Sequence, residues 1–137
     1  MEGSPLSTTP EQPQICVIEP DFAVCDSVSG LFDLLGLPCQ TFASTGQFKG
    51  RWPLPEPAIV LCAAGARGSE GIDLFHWLRA QANPSPFALT LSRHEYSLQR
   101  DAAAAGIEHI FYKPLLQSGE LLRFVAPGLP VILEDDR

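Results

Sequence analysis

A doubly wound α/β fold follows from three features of the sequence. It is a five-stranded parallel sheet, in the order 2-1-3-4-5, covered by five helices. Short runs that are apolar throughout alternate with longer segments whose apolar residues recur at helical spacing. The connections between them are only a few residues long. Strands that are apolar on both faces need cover on both sides, which the crossover helices of a parallel sheet supply. Right-handed crossovers leave few arrangements. The order 2-1-3-4-5 is the economical one, and it puts the functional crevice at the carboxyl ends of strands 1 and 3.

Each element has its own signal. Residues 1–13 carry Ser, Thr, Pro, Gln and Glu with little to bury, and read as a flexible leader to a domain spanning 14–126. Gln14 to Ile18 is the first strand. Phe22 to Leu35 has apolar residues at helical spacing, with Asp21 as N-cap and Gly36 as terminator. Leu37 to Phe42 reads as the second strand, and Ser44 to Arg51 as one or two turns weakened by Gly46 and Gly50. Three prolines stiffen 52–57. Ala58 to Cys62 is the third strand, and small residues follow it from Ala63 to Gly68. Gly71 to Ala82 is a helix broken by Asn83-Pro84, and Phe87 to Leu91 the fourth strand. Glu95 to Ala105 is an alanine-rich helix ended by Gly106. Ile107 to Tyr112 is the fifth strand, Lys113-Pro114 a turn, and Gln117 to Val125 the last helix. Residues 127–137 form an acidic tail containing the apolar Val131-Ile132-Leu133.

Composition excludes several classes. The 137 residues are enough for one domain with a buried core, and 45% hydrophobic with 18% charged residues describes a globular chain. Sixteen acidic against nine basic residues leave a net charge of −7, which argues against phosphate-backbone binding and against an anionic membrane surface. No apolar run approaches the roughly 20 residues of a membrane-spanning helix. The N-terminus has no apolar core of a secretory signal. Cys16, Cys25, Cys39 and Cys62 are widely spaced and form no C-x-x-C pair. They read as reduced, small hydrophobes of a cytoplasmic core. His76, His94 and His109 are too scattered in the chain to suggest zinc.

The crevice rule gathers Glu19, Pro20 and Asp21 after strand 1, Ala63 to Ala66 after strand 3, Ser92 and Arg93 after strand 4, and Lys113-Pro114 after strand 5. With these in place, the stretches ICVIEPD, SEGIDLFHWLR and AAGIEHIFYKPL resemble, in order and spacing, the receiver domain of two-component response regulators. The resemblance runs from about Gln14 to Val125 and implies the CheY-like, flavodoxin-like version of the fold. In that family an aspartate ending strand 3 accepts a phosphoryl group. Acidic residues after strand 1 help hold Mg²⁺, and a Ser or Thr after strand 4 and a Lys after strand 5 grip the phosphoryl oxygens.

This chain departs from that pattern at its centre. Counting back from Gly71, the phospho-acceptor position is Ala63, which has no nucleophile. Of the acidic pair, Glu19 remains, Pro20 takes the second place, and Asp21 follows as the expected helix cap. Too few anionic oxygens are left for tight Mg²⁺, so binding is expected to be weak or absent and no cofactor is expected. The hydroxyl position falls on Thr90 or Ser92, with Ser92 preferred. Lys113 remains, and either pairs with Glu19, for ~0–1 kcal/mol if solvated, or is a residual exposed lysine before the Pro114 turn. The aromatic switch position, three residues before the lysine, is Ile110. Glu70 and Asp73, opening the next helix, are expected to face solvent.

The resemblance thus implies a degenerate, or pseudo-, receiver: a non-enzymatic, phosphorylation-independent cytoplasmic signalling module working by protein–protein contact. Its implied partners are a histidine kinase or another regulator, and a homodimer through helix 4, strand 5 and helix 5. The alternative is the regulatory receiver of a transcription regulator whose DNA-binding part lies outside this chain. A flavin carrier on the same sheet is disfavoured because the acidic Glu19-Pro20-Asp21 loop would repel a phosphate. Trp77 reads as core. Trp52 divides evenly between packing and contact, and His109 reads as a satisfied local histidine. One of Phe111 and Tyr112 is expected to face outward with helices 4 and 5.

Overall fold

A computed structural model describes residues 14–54, 58–65, 68–115 and 119–126. The expected leader (1–13) and acidic tail (127–137) lie outside the described residues. Five strands, β1 (Gln14–Ile18), β2 (Cys39–Phe42), β3 (Ala58–Ala63), β4 (Phe87–Leu91) and β5 (His109–Tyr112), alternate with α1 (Phe22–Leu34), α2 (Thr45–Gly50), α3 (Glu70–Ala80), α4 (Leu98–Ala105) and α5 (Gly119–Val125). The sheet order is β2-β1-β3-β4-β5 and every pairing is parallel.

Alternation along the strands divides the core into two layers. Cys16, Ile18, Val60, Cys62, Leu89 and Leu91 pack on one face against Phe48 of α2, Leu74, Phe75 and Leu78 of α3 and Ala102 of α4. Ile15, Val17, Ile59, Leu61, Ala88 and Phe111 pack on the other against Val28 and Phe32 of α1 and Leu121 and Val125 of α5. All six residues of β3, the central strand, are buried. Both faces of the sheet must be covered for that to happen, which is why this strand carries no polar residue.

Local chemistry sets the element ends. Asp21 accepts the backbone N–H groups of Ala23 (2.9 Å) and Val24 (3.3 Å), capping α1. Pro38 has no N–H to give a ladder, so β2 begins at Cys39, one residue after Pro38 has accepted the Ile15 N–H. β3 runs one residue further than expected because Ala63 pairs with Thr90. The helix expected from Glu95 starts instead at Leu98. Before it, Ser92 and Glu95 close a separate 3₁₀ turn over Arg93–Glu95, in which each residue satisfies the other's backbone N–H.

α3 approaches the end of β3 very closely. A Cβ on Gly71 would lie 2.5 Å from Leu89 Cδ1 and 2.6 Å from the Ala63 carbonyl oxygen, so only a glycine fits there. Its N–H donates to the Ala64 carbonyl at 3.0 Å, holding the helix start against the strand end.

Candidate functional site: the crevice at the carboxyl edge

Because every strand is parallel, all five carboxyl ends share one edge of the sheet. Backbone hydrogen bonds carry the ladder one residue beyond it on both sides of the crevice. The Glu19 N–H donates to the Phe42 carbonyl (2.9 Å), and the Lys113 N–H to the Leu91 carbonyl (2.9 Å). Both side chains therefore leave from fixed backbone.

The two side chains meet. Lys113 Nζ lies 2.8 Å from Glu19 Oε1, and the second carboxylate oxygen accepts the Asp21 N–H at 3.0 Å. β1 and β5 stand three strand spacings apart in the sheet order, about 14 Å. The pair must therefore span the ends of β3 and β4. Glu19 is only 4% exposed and Lys113 21%, so the pair is largely withdrawn from water rather than solvated. It belongs with partly buried ion pairs, where losing one partner strands the other.

Ala63 is the last residue of β3, buried and side by side with Thr90 in the β3–β4 register. Thr90 is buried on the same face. Ser92 stands beyond the strand, and its hydroxyl donates to Glu95 Oε1 (3.0 Å) and lies 3.1 Å from His94 Nδ1. That hydroxyl is already engaged by the 3₁₀ turn. Leu91, between them, points into the apolar core. Ile110 is half-buried on β5 opposite Leu89.

One expectation is corrected. Asp73 is exposed, but Glu70 does not face solvent. It is half-buried, and its side chain folds over Gly65, where a Cβ would fall 1.8 Å from Glu70 Oε1. Gly65 has φ +96°, a left-handed backbone that also favours glycine. Ile18, Pro20, Ala63 and Glu70 line a small cavity of about 160 Å³ at this edge. Nothing in helical periodicity shows that a first-turn glutamate will bend back over a preceding loop. The only sequence signal is the bare Gly65 beneath it.

Of Phe111 and Tyr112, it is Tyr112 that faces outward, and it has partners on α4 and in the turn before it that the sequence does not show. Phe111 is buried towards α5, edge-on to Phe124 at 5.6 Å. Tyr112 emerges on the opposite face, stacks on Tyr96 at 6.1 Å, and its hydroxyl donates to Gln99 Oε1 on α4. The residue next to Lys113 is thus tied to α4. Elsewhere, Trp77 meets Trp52 edge-on at 5.6 Å with Lys49 Nζ over its ring, and exposed His109 contacts Phe124. No described helix is long and apolar enough to cross a membrane.

No family model matches the chain, and no curated protein does. Solved structures do match. Full-length FixJ from B. japonicum aligns with a TM-score of 0.73 at 24% identity, over 85% of this chain and 57% of that one. A response regulator receiver protein from Burkholderia phymatum aligns at TM-score 0.71 and 21% identity, over 88% of this chain and 100% of that one. The chain has the receiver fold. The beryllofluoride-activated NtrC4 receiver domain dimer shares it at TM-score 0.66 and 16% identity, over 81% of this chain and 92% of that one. The chain spans little more than half of full-length FixJ.

The donor set of this receiver-fold crevice does not suit a hard divalent cation. Such an ion wants several oxygen ligands in near-octahedral array. Ala63 and Pro20 offer no side-chain oxygen, and both oxygens of Glu19 are engaged. Among the described residues no group of three His, Cys, Asp or Glu side chains could hold a metal.

Proposed function

We propose that this chain is a pseudo-receiver: a non-enzymatic signalling module of two-component type that acts by protein–protein contact without phosphorylation. The observation that carries the reading is Ala63 at the end of β3, facing a crevice whose lysine is already neutralised by Glu19. Phosphoryl transfer needs a positioned nucleophile and unspent positive charge. Here the nucleophile that strand β3 would carry is replaced by Ala63, and the lysine's charge is spent on Glu19. Weak or absent Mg²⁺ binding belongs to the same reading, as do a cytoplasmic setting and the lack of nucleic-acid binding that a net charge of −7 favours. The partner is a protein: a histidine kinase, another regulator, or a second copy through α4, β5 and α5.

The test is intact mass after incubation with acetyl phosphate and Mg²⁺, wild type beside Ala63→Asp. Wild type is expected to gain no phosphoryl adduct (about 80 Da). A gain by Ala63→Asp alone would mark a receiver site that has lost one residue. A gain by wild type overturns the reading.

A second reading has one observation in its favour. The chain spans 57% of full-length FixJ and 60% of the response regulator StyR. It then serves as the regulatory part of a longer transcription regulator, with DNA binding elsewhere. The length of the natural reading frame separates the two.

A further inference from the structure

We propose that the small cavity beside Ala63 is a binding site for a planar organic cation, an amidinium or guanidinium on a short apolar body, with Glu70 as its counter-ion. The site rests on the reading of the crevice as one that takes no phosphoryl group, and gives that crevice a ligand.

Glu70 differs from its neighbours at the carboxyl edge. Glu19 holds Lys113 and the Asp21 N–H, Asp21 caps α1, and Glu95 takes both the hydroxyl and the N–H of Ser92. Among the described residues, nothing hydrogen-bonds or pairs with the Glu70 carboxylate. It is nonetheless half-buried and leaves from fixed backbone. Its Oε1 lies over the bare α-carbon of Gly65, and the next residue, Gly71, is tied to the Ala64 carbonyl at 3.0 Å.

The rest of the cavity wall is mainly apolar, from Ile18, Pro20, Ala43 and Ala63, with Ser44 and Thr45 completing it. That wall is preformed. Ile18 and Ala63 are buried strand residues. The connection from β2 to α2 is closed on itself: the Ala43 N–H donates to Gln47 Oε1 (3.0 Å), and the Ser44 hydroxyl accepts the Gln47 N–H (3.1 Å). A side chain larger than alanine at position 63 would occupy part of the space.

Size and charge together select the guest. The volume is about 160 Å³, and a cavity of roughly 150 Å³ takes a benzene ring. A lone carboxylate repels an anion. A neutral guest would displace the water that solvates it and return nothing. One carboxylate is too few oxygens for a divalent metal. An amidinium or guanidinium instead offers two parallel N–H groups to the two carboxylate oxygens, while its flat body lies against the apolar wall.

The test is titration of the full chain with benzamidine, followed in ¹H–¹⁵N spectra, beside its neutral isostere benzamide. Benzamidine is expected to shift the amides of Thr45, Gly65 and Glu70 saturably. Benzamide should bind about tenfold more weakly, for want of the charge-assisted pair. Glu70→Gln keeps the side-chain shape, and should weaken benzamidine by a similar factor while leaving benzamide unchanged. Acetylarginine methylamide tells two sources of the cation apart. If it displaces benzamidine, the guest is an arginine side chain of a protein partner; if it does not, the guest is a free small molecule. No saturable shift at these amides, equal binding of both probes, or full affinity in Glu70→Gln would each overturn the proposal. Intact mass decides the phosphoryl reading and this titration decides the cation, so either can fail alone.

Discussion

Lys113 Nζ lies 2.8 Å from Glu19 Oε1, joining the two outer walls of a crevice whose centre, Ala63, is uncharged. With no anion on β3, the lysine finds its partner after β1. The crevice is thereby held in one electrostatic state by the chain's own residues.

That pair predicts an asymmetric mutational response. Lys113→Met leaves the 4%-exposed Glu19 carboxylate with a backbone N–H and no cation, and should cost about 1–3 kcal/mol. Glu19→Gln can still accept the Asp21 N–H and should cost less. The double variant should recover part of the Lys113→Met loss. Urea unfolding of the four proteins of this cycle measures the coupling. A coupling near zero would mean that the pair behaves as an exposed one.

Two glycines should respond with opposite signs. Gly30 lies inside α1 with nothing within 4 Å of a built Cβ, so Gly30→Ala should stabilise by about 0.5–1 kcal/mol through helix propensity. Gly71→Ala instead drives a methyl into Leu89 and the backbone oxygen of Ala63. Leu89 can yield, but the strand cannot, and a loss of about 1–3 kcal/mol is expected. Thermal unfolding followed by the fluorescence of Trp77, on α3, and Trp52, packed edge-on against it, reports both.

Periodicity and spacing foretold the sheet order and the α1 cap at Asp21, while the resemblance left Lys113 either paired with Glu19 or exposed before its turn, and the structure shows the pair. The first two follow from strand direction and chain order, which are written locally. Glu70 was misplaced because its direction depends on a glycine five residues earlier in a left-handed conformation. The Tyr112 contact was only half visible. Alternation says that Tyr112 and Phe111 point to opposite faces, but not that Gln99 and Tyr96 wait on one of them. Likewise Ser92 was placed correctly at the strand end, yet its hydroxyl is spent on Glu95, a choice made by the turn rather than by the strand.

Tyr112 should act as a fastener for α4. Tyr112→Phe keeps the stack on Tyr96 but loses the hydrogen bond to Gln99, and should cost at most about 1 kcal/mol. Tyr112→Ala loses both contacts. Amide hydrogen exchange is expected to speed up in α4 in the order wild type, Tyr112→Phe, Tyr112→Ala, with little change in α1. Equal exchange in all three would show that α4 is held by Ala102 and the core alone.

Buried thiols should make the fold sensitive to alkali. Burial, with a smaller push from Cys39, raises the Cys16 thiol from about 9 to about 12, and burial drives Cys62 up as well, reinforced by Glu19 and Glu70. An acid whose folded pKa lies above its unfolded value keeps its proton in the native state after the unfolded chain has lost it. Above about pH 9 the unfolded state therefore binds fewer protons, and stability falls as pH rises. The fall begins near the ordinary thiol value and continues until the native thiols themselves titrate, at about 12 for Cys16. Urea midpoints taken at about pH 8, 9 and 10 should decline progressively. Cys16→Ala and Cys62→Ala will each lower stability at every pH, because they empty part of the core. Their midpoints should nonetheless decline less steeply over this range, since each removes one group that the unfolded state deprotonates first. Slopes equal to that of the wild type would assign the alkaline loss to the other groups that burial raises, Cys25, Cys39 and Tyr112, instead.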